Sequence, residues 1–207
     1  MKEFNKQEVQ DYFHKFKFNA PSLGRILNKG GCSYEYFKYE SLVHIKGVFT
    51  HKYGEDKVAN IKVLDVGPGA GGYQALLDRF LNIKNIDCVE VYTPHIEYYQ
   101  YEKYYSNVFN CNILDFEFDH YDLIIMGDIL EHIEVKQAQK LIKKLIKKCD
   151  CLLVAVPYNY VQGPEGGNRW EEHLQPDLTP ENFVERYPDL KLVIKNKLTG
   201  IYSHVVI

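Results

Sequence analysis

The sequence is poor in the features that mark several large classes of protein. No apolar run approaches the roughly 20 residues of a membrane span. The first residues, Met1 to Lys6, lead into a polar segment with no signal-peptide core. Positive charge is not in excess: 25 Lys and Arg stand against 28 Asp and Glu, a net charge of -3, so composition gives no general reason to expect nucleic acid. The five cysteines, Cys32, Cys88, Cys111, Cys149 and Cys151, form no C-x-x-C pair. They read as reduced thiols, four of them in or beside expected strands or helix ends. No repeat and no low-complexity linker divides the chain. These absences point to a soluble, cytoplasmic, single-domain protein over residues 1–207, and a hydrophobic content of 45% is enough for one good core.

What the chain does have is centred on Val63-Leu64-Asp65-Val66-Gly67-Pro68-Gly69-Ala70-Gly71-Gly72-Tyr73. An apolar strand runs into a glycine-rich turn, and a helix follows. Glycine lets backbone turn tightly and approach a ligand closely, and the first amides of the helix then face whatever is bound. Gly67, Gly69 and Gly72 fit the dinucleotide pattern G-x-G-x-x-G. Gly67, Gly69 and Gly71 equally fit a loop that cradles S-adenosylmethionine (SAM). Asp65 would repel a pyrophosphate and attract the ammonium and sulfonium of SAM, and Pro68 removes an amide donor that a phosphate cradle needs. Both residues favour SAM.

The chain predicts an α/β protein, with an N-terminal helical cap over residues 1–59 and the core over 60–207. Val9, Tyr12, Phe13 and Phe16 have helical spacing, and Asn19-Ala20-Pro21 ends that helix. A second helix is expected over Tyr34 to Tyr53, with Phe37, Leu42, Ile45 and Phe49 inward and the flexible Lys29-Gly30-Gly31 before it. These helices either cover a sheet face or form a lid over the site. Expected strands are Lys62 to Val66, Ile86 to Val91, Asn107 to Cys111, Tyr121 to Met126 and Cys151 to Val156, with helices from Gly72 to Leu81 and Glu134 to Lys148. Glu90 falls about 20 residues past the glycines, where an acid accepts hydrogen bonds from ribose hydroxyls. Thr93 and Pro94 read as the N-cap and first position of a further helix rich in tyrosine; Tyr98, Tyr99, Tyr101, Tyr104 and Tyr105 are too scattered for one core stripe. Thr179-Pro180-Glu181 opens a last helix. Leu190 to Asn196 and Ile201 to Ile207 are expected as a closing hairpin turning at Thr199-Gly200, which requires antiparallel pairing.

With these residues in order, the chain resembles a class I SAM-dependent methyltransferase, of the small-molecule kind related to the ubiquinone-biosynthesis enzymes. The resemblance covers roughly Asn60 onward, and implies a Rossmann-like, doubly wound sheet, mostly parallel with a C-terminal antiparallel hairpin strand. It implies that Asp65, Gly67, Pro68, Gly69 and Gly71 contact the methionine part of SAM, and that Glu90 is the ribose ligand. It places Asn112, with Ile113, at the adenine, where the family usually has an aspartate; an amide oxygen still accepts the adenine amino group. Asp128 and Ile129 belong to the segment that ends in Leu130-Glu131-His132 and lines the cofactor and acceptor side.

The segment Tyr158 to Leu174 sits after a sheet strand, where open α/β folds bind ligands. It holds the only tryptophan, an arginine and a histidine. Tyr158, Arg169 and Trp170 are the candidate acceptor-binding residues. His173, or else His132, is a candidate general base, since histidine titrates near neutrality. Asp128, His132, Glu172 and His173 offer metal-ligand chemistry if the two segments meet, but the spacing does not demand it and no metal is assigned. The function expected is methyl transfer from SAM, with S-adenosylhomocysteine (SAH) as product, to an oxygen or nitrogen of a small molecule. The chain would act as a monomer or homodimer, with neither nucleic acid nor membrane as partner. The alternatives are a SAM-binding module without catalysis and an NAD-dependent oxidoreductase; the latter lacks residues for a second nucleotide half.

Overall fold

Side-chain alternation sorts the central strands onto two apolar faces. Val63, Leu123, Ile125, Cys151 and Leu153 point to one side, and Leu64, Val66, Ile124, Met126, Leu152 and Val154 to the other; all are buried. A strand apolar on both faces must be covered twice, which is the condition for a parallel sheet with helices on either side. The computed structural model describes residues 3–20 and 36–206. It shows a seven-stranded sheet in the order β3-β2-β1-β4-β5-β7-β6. The strands are β1 (Val63–Val66), β2 (Ile86–Val89), β3 (Val108–Phe109), β4 (Tyr121–Gly127), β5 (Cys149–Pro157), β6 (Lys191–Lys195) and β7 (Thr199–Val205). The first five are parallel, and β7 is antiparallel to both β5 and β6.

Helices α1 (Lys6–Asn19), α2 (Lys38–Tyr53) and α3 (Gly72–Leu76) cover the first face. Val9 and Phe13 of α1 and Leu42, Ile45 and Phe49 of α2 join the same core cluster as Val63 and Leu123. Helix α4 (Thr93–Tyr99) follows β2. Helices α5 (Val135–Leu145) and α6 (Pro180–Arg186) cover the second face. The apolar stripe of α5, with Ala138, Leu141, Ile142 and Leu145, is buried as its spacing predicts. Asn5 caps α1 with Glu8 in a capping box, and Thr179 caps α6 with Asn182 in another.

The departures from expectation are local. The helix after the glycine turn is regular only to Leu76 and widens into a π turn over Leu77–Leu81. Thr93 is not an N-cap: it lies inside α4, and its hydroxyl donates instead to Asn110 Oδ1 at 2.9 Å. Helix α2 starts at Lys38, because Phe37 takes a left-handed conformation (φ 64°). The closing hairpin turns at Asn196 to Leu198 and not at Thr199-Gly200, since Asn196 Oδ1 accepts from both Leu198 N and Thr199 N and lets β7 begin at once. The expectations for Lys29-Gly30-Gly31, Cys32 and Tyr34 lie outside the described residues. No helix among the described residues is long and apolar enough to cross a membrane.

Candidate functional site

Chain order along the sheet reverses between β1 and β4. That reversal leaves a crevice at the carboxyl ends of the strands. A cavity of about 590 Å³ opens there. Its floor is the turn after β1, where Gly67, Gly69 and Gly71 all have positive φ (58°, 54° and 78°). The close approach at Gly67 has no alternative: a Cβ there would lie 2.1 Å from Ile129 Cδ1. At Gly69 a Cβ would meet nothing within 4 Å, so that stretch of backbone faces open space. Gly71 N donates to Pro68 O at 2.9 Å and closes the turn.

Two tyrosines hold this floor from below. Tyr101 donates to Gly69 O at 2.5 Å, and Tyr105 donates to Asp65 Oδ2 at 3.0 Å. Both rings are buried while Tyr98 and Tyr104 are exposed, so the tyrosine-rich stretch is sorted residue by residue. Asp65 is 2% exposed. Burial pushes its carboxyl up to about 7, against the Tyr105 hydrogen bond and the Lys38 charge, with the Glu90 charge adding to the rise. Lys38 is itself buried; its ammonium lies 4.1 Å from the Tyr73 ring centroid and 5.5 Å from that of Phe13. Phe13 and Phe16 of α1 and Lys38 of α2 line the cavity, so the N-terminal helices wall the site as well as cover the sheet.

Glu90 stands just past β2. Its carboxylate accepts from Tyr92 N at 2.8 Å and from the Tyr101 hydroxyl at 3.5 Å, faces His95 Nδ1 at 3.3 Å, and lines the cavity. Asn112 and Ile113 line the same wall, and Asn112 Oδ1 already accepts from Leu114 N at 2.9 Å. Asp128 is held at φ 57° by its amide on Ala155 O, and Ile129 packs on Gly67. Arg169 and Trp170 line the far side, with the guanidinium 4.5 Å from the indole centroid. The segment after β5 is ordered by its own bonds: Gln162 Nε2 donates to Glu171 O at 2.8 Å and His173 N to Gln162 O at 2.9 Å.

Tyr158 is a correction. It does not line the cavity. Its ring is buried against β7, its hydroxyl pairs with that of Tyr202 at 2.6 Å, and the bare Cα of Gly200 makes room for it. It is a core residue.

His132 and His173 do meet, with ring centroids 4.7 Å apart in an edge-to-face arrangement. Burial lowers the pKa of both below the usual imidazole range, so both are neutral near pH 7. Glu131, unassigned by sequence, lies beside them. It is 1% exposed, and neither carboxyl oxygen has a hydrogen-bond partner among the described residues. Burial, and then the Asp128 charge, raise its acid well above the carboxylate range. Glu131, His132 and His173 offer ligand atoms within 4.8 Å of one another. Glu172 is absent from that group; only its backbone carbonyl takes part, accepting from His132 Nδ1 at 3.1 Å. The signal for Glu131 was an acid between apolar Leu130 and His132 in a short turn. The signal for Lys38 was weaker, one lysine at a helix start.

No protein-family model matches the sequence, and no curated protein does either. Solved structures do resemble the chain. The methyltransferase domain of bacterial CtHen1-CN is 17% identical with a TM-score of 0.53, over 79% of this chain and 99% of that one. The N-terminal domain of EvdMO1, crystallised in the presence of SAH and D-fucose, is 10% identical with a TM-score of 0.56, over 99% and 98%. The N-methyltransferase NodS from Bradyrhizobium japonicum is 15% identical with a TM-score of 0.51, over 82% and 97%. The chain thus has the Rossmann-like fold of class I SAM-dependent methyltransferases.

Proposed function

We propose that the protein transfers a methyl group from SAM to an oxygen or nitrogen of a small-molecule acceptor. The observation that carries this reading is the placement of two carboxyl groups, Asp65 and Glu90, at the ends of adjacent strands around an open glycine turn. That donor set suits a ligand with an ammonium, a sulfonium and a ribose diol. It is wrong for the pyrophosphate of a dinucleotide, which needs amides and positive charge. The empty space over Gly69 and the cavity's volume of about 590 Å³ fit the group as well.

On this reading Asp65 and the turn from Gly67 to Gly71 hold the methionine part. Glu90 accepts from the ribose hydroxyls, and Asn112 and Ile113 flank the adenine. When bound, SAM supplies an electrophilic methyl: the acceptor lone pair forms the new bond, the S–C electron pair stays on sulfur, and any acceptor proton leaves to a base or solvent. The residues of this chain align and desolvate that exchange. Phe13, Phe16 and Trp170 exclude water, and Arg169 with the two histidines faces the acceptor. The likeness of its fold to the N-terminal domain of EvdMO1, crystallised in the presence of SAH and D-fucose, supports the reading.

The test is calorimetric titration with SAH, with NAD in parallel. SAH binds and NAD does not. Glu90→Ala weakens SAH binding roughly 10- to 100-fold, the loss of hydrogen bonds to a charged acceptor. NAD binding without SAH binding, or an unchanged Glu90→Ala, overturns the reading.

A further inference from the structure

We propose that Glu131, His132 and His173 bind one divalent transition-metal ion at the acceptor end of the cavity. This deepens the methyl-transfer reading and rests on it only for the role of the ion. The ion would fix the acceptor atom as a hydroxyl oxygen.

The two halves of the cluster are locked together by backbone. Glu131 O accepts from Leu174 N at 2.8 Å and from Gln175 N at 3.0 Å. Gln175 Nε2 reaches back to Leu130 O at 2.9 Å and Ile133 O at 2.8 Å. The turn carrying Glu131 and His132 therefore cannot drift from the segment carrying His173.

Both imidazoles are set in the same way. His132 Nδ1 faces Glu172 O at 3.1 Å, and His173 Nδ1 faces Tyr160 O at 2.7 Å. A carbonyl only accepts, so each Nδ1 carries the hydrogen and each Nε2 keeps its lone pair. Holding a histidine by its far nitrogen on a carbonyl is how proteins orient imidazole toward a metal. His173 is buried and His132 half-buried, and both rings line the cavity.

The independent observation is Glu131. A fully buried carboxyl with both oxygens unsatisfied is rare and calls for a missing partner. A cation supplies one. The three ligand atoms lie within 4.8 Å of one another. Ligands about 2.0–2.2 Å from an ion stand at most about 4.4 Å apart, so a few tenths of an ångström of side-chain rotation completes the set. Two imidazoles and one carboxylate suit the zinc, cobalt, iron and manganese class, and not magnesium or calcium, which take oxygen ligands. Three protein ligands leave positions open, and the cavity is on that side. A hydroxyl bound there loses its proton to solvent far more readily than in water.

The experiment uses the full chain stripped with EDTA and then titrated with CoCl2, followed by equilibrium dialysis and visible absorption. One cobalt binds per chain with ligand-field bands, ZnCl2 displaces it, and MgCl2 does not. ZnCl2 at about a hundred times its dissociation constant raises Tm by about 5–10 °C. Glu131→Gln, which keeps the shape and removes the charge, weakens cobalt binding at least about tenfold, and His173→Ala does the same. Circular dichroism and SAH titration in EDTA report whether each variant is folded. No cobalt bound at millimolar concentration, or wild-type affinity in either folded variant, overturns the proposal. Cobalt binding without SAH binding refutes the cofactor reading and leaves the metal site standing. SAH binding without cobalt does the reverse.

Discussion

Replacing Asp65 by asparagine tests the electrostatics of the site without any ligand. The carboxyl is buried beside Tyr105, with Lys38 and Glu90 near it, and its pKa is raised from 3.8 to about 7, mainly by burial. An acid with a raised pKa holds its proton in the native state after the unfolded chain has lost it. Its contribution to stability is full below about pH 4, falls as pH rises through about 7, and is flat above. At about 1.36 kcal/mol per pH unit, the span from 3.8 to about 7 amounts to about 4 kcal/mol. Asp65→Asn lacks this dependence. Urea unfolding of both proteins, free of SAH, is measured from pH 4 to pH 8. The stability of Asp65→Asn relative to wild type grows by about 4 kcal/mol across that window, even though the amide cannot repeat every contact of the acid. A difference that stays constant with pH means that Asp65 is ionised throughout, and the argument from burial is then wrong. The ligand adds a second reading of the same group. An ammonium beside Asp65 favours its charged form, so SAH affinity rises from pH 6 toward pH 8, by up to about tenfold per pH unit.

Gly67→Ala forces a side chain into left-handed backbone, at about 1–2 kcal/mol, and sets its Cβ against Ile129; calorimetry shows SAH affinity reduced at least about tenfold in a protein that still folds. Gly200→Ala leaves the cavity alone but puts a Cβ 1.9 Å from Tyr158 Oη. Its cost is that of an overpacked core, about 1–3 kcal/mol, read as a Tm lower by about 3–10 °C. An unchanged Tm shows that the Tyr158–Tyr202 pair moves aside freely.

The sheet was legible because burial on both faces leaves long apolar runs, and the glycine turn because no other residue takes three left-handed positions in five. The place of Asp65 and Glu90 on the cavity wall was legible through their distance from that turn. What escaped was decided between segments. Tyr101 and Tyr105 differ from Tyr98 and Tyr104 only in which side of a short helical stretch meets the glycine turn, and spacing cannot show where that turn lies. Thr93 had the residue type of a cap, but Asn110, just past β3, engaged its hydroxyl. Tyr158 had the position of a ligand contact, at the end of β5, and a glycine some forty residues on turned it into the core. Glu131 was placed in a segment lining the site but given no role of its own, because its burial depends on Leu174 and Gln175 closing over its backbone.

The strand order β5-β7-β6 has a consequence for how the chain is made. Strand β5, Cys149–Pro157, has β4 on one side, but its other neighbour, β7, lies beyond α6 and β6 in sequence. At about 5–20 residues per second, the roughly forty residues between them take several seconds to emerge from a ribosome. During that interval β5 presents a bare hydrogen-bonding edge, and its run Cys151-Leu152-Leu153-Val154-Ala155-Val156 carries no charge. Such a run is what strands of other nascent chains pair with most readily. The finished edge is different: β6 ends in Lys191 and Lys195, which discourage pairing. The danger of misassembly therefore falls in the seconds before β7 arrives, and a chaperone that shields β5 at that stage would matter more to the yield of this protein than any change to its finished surface.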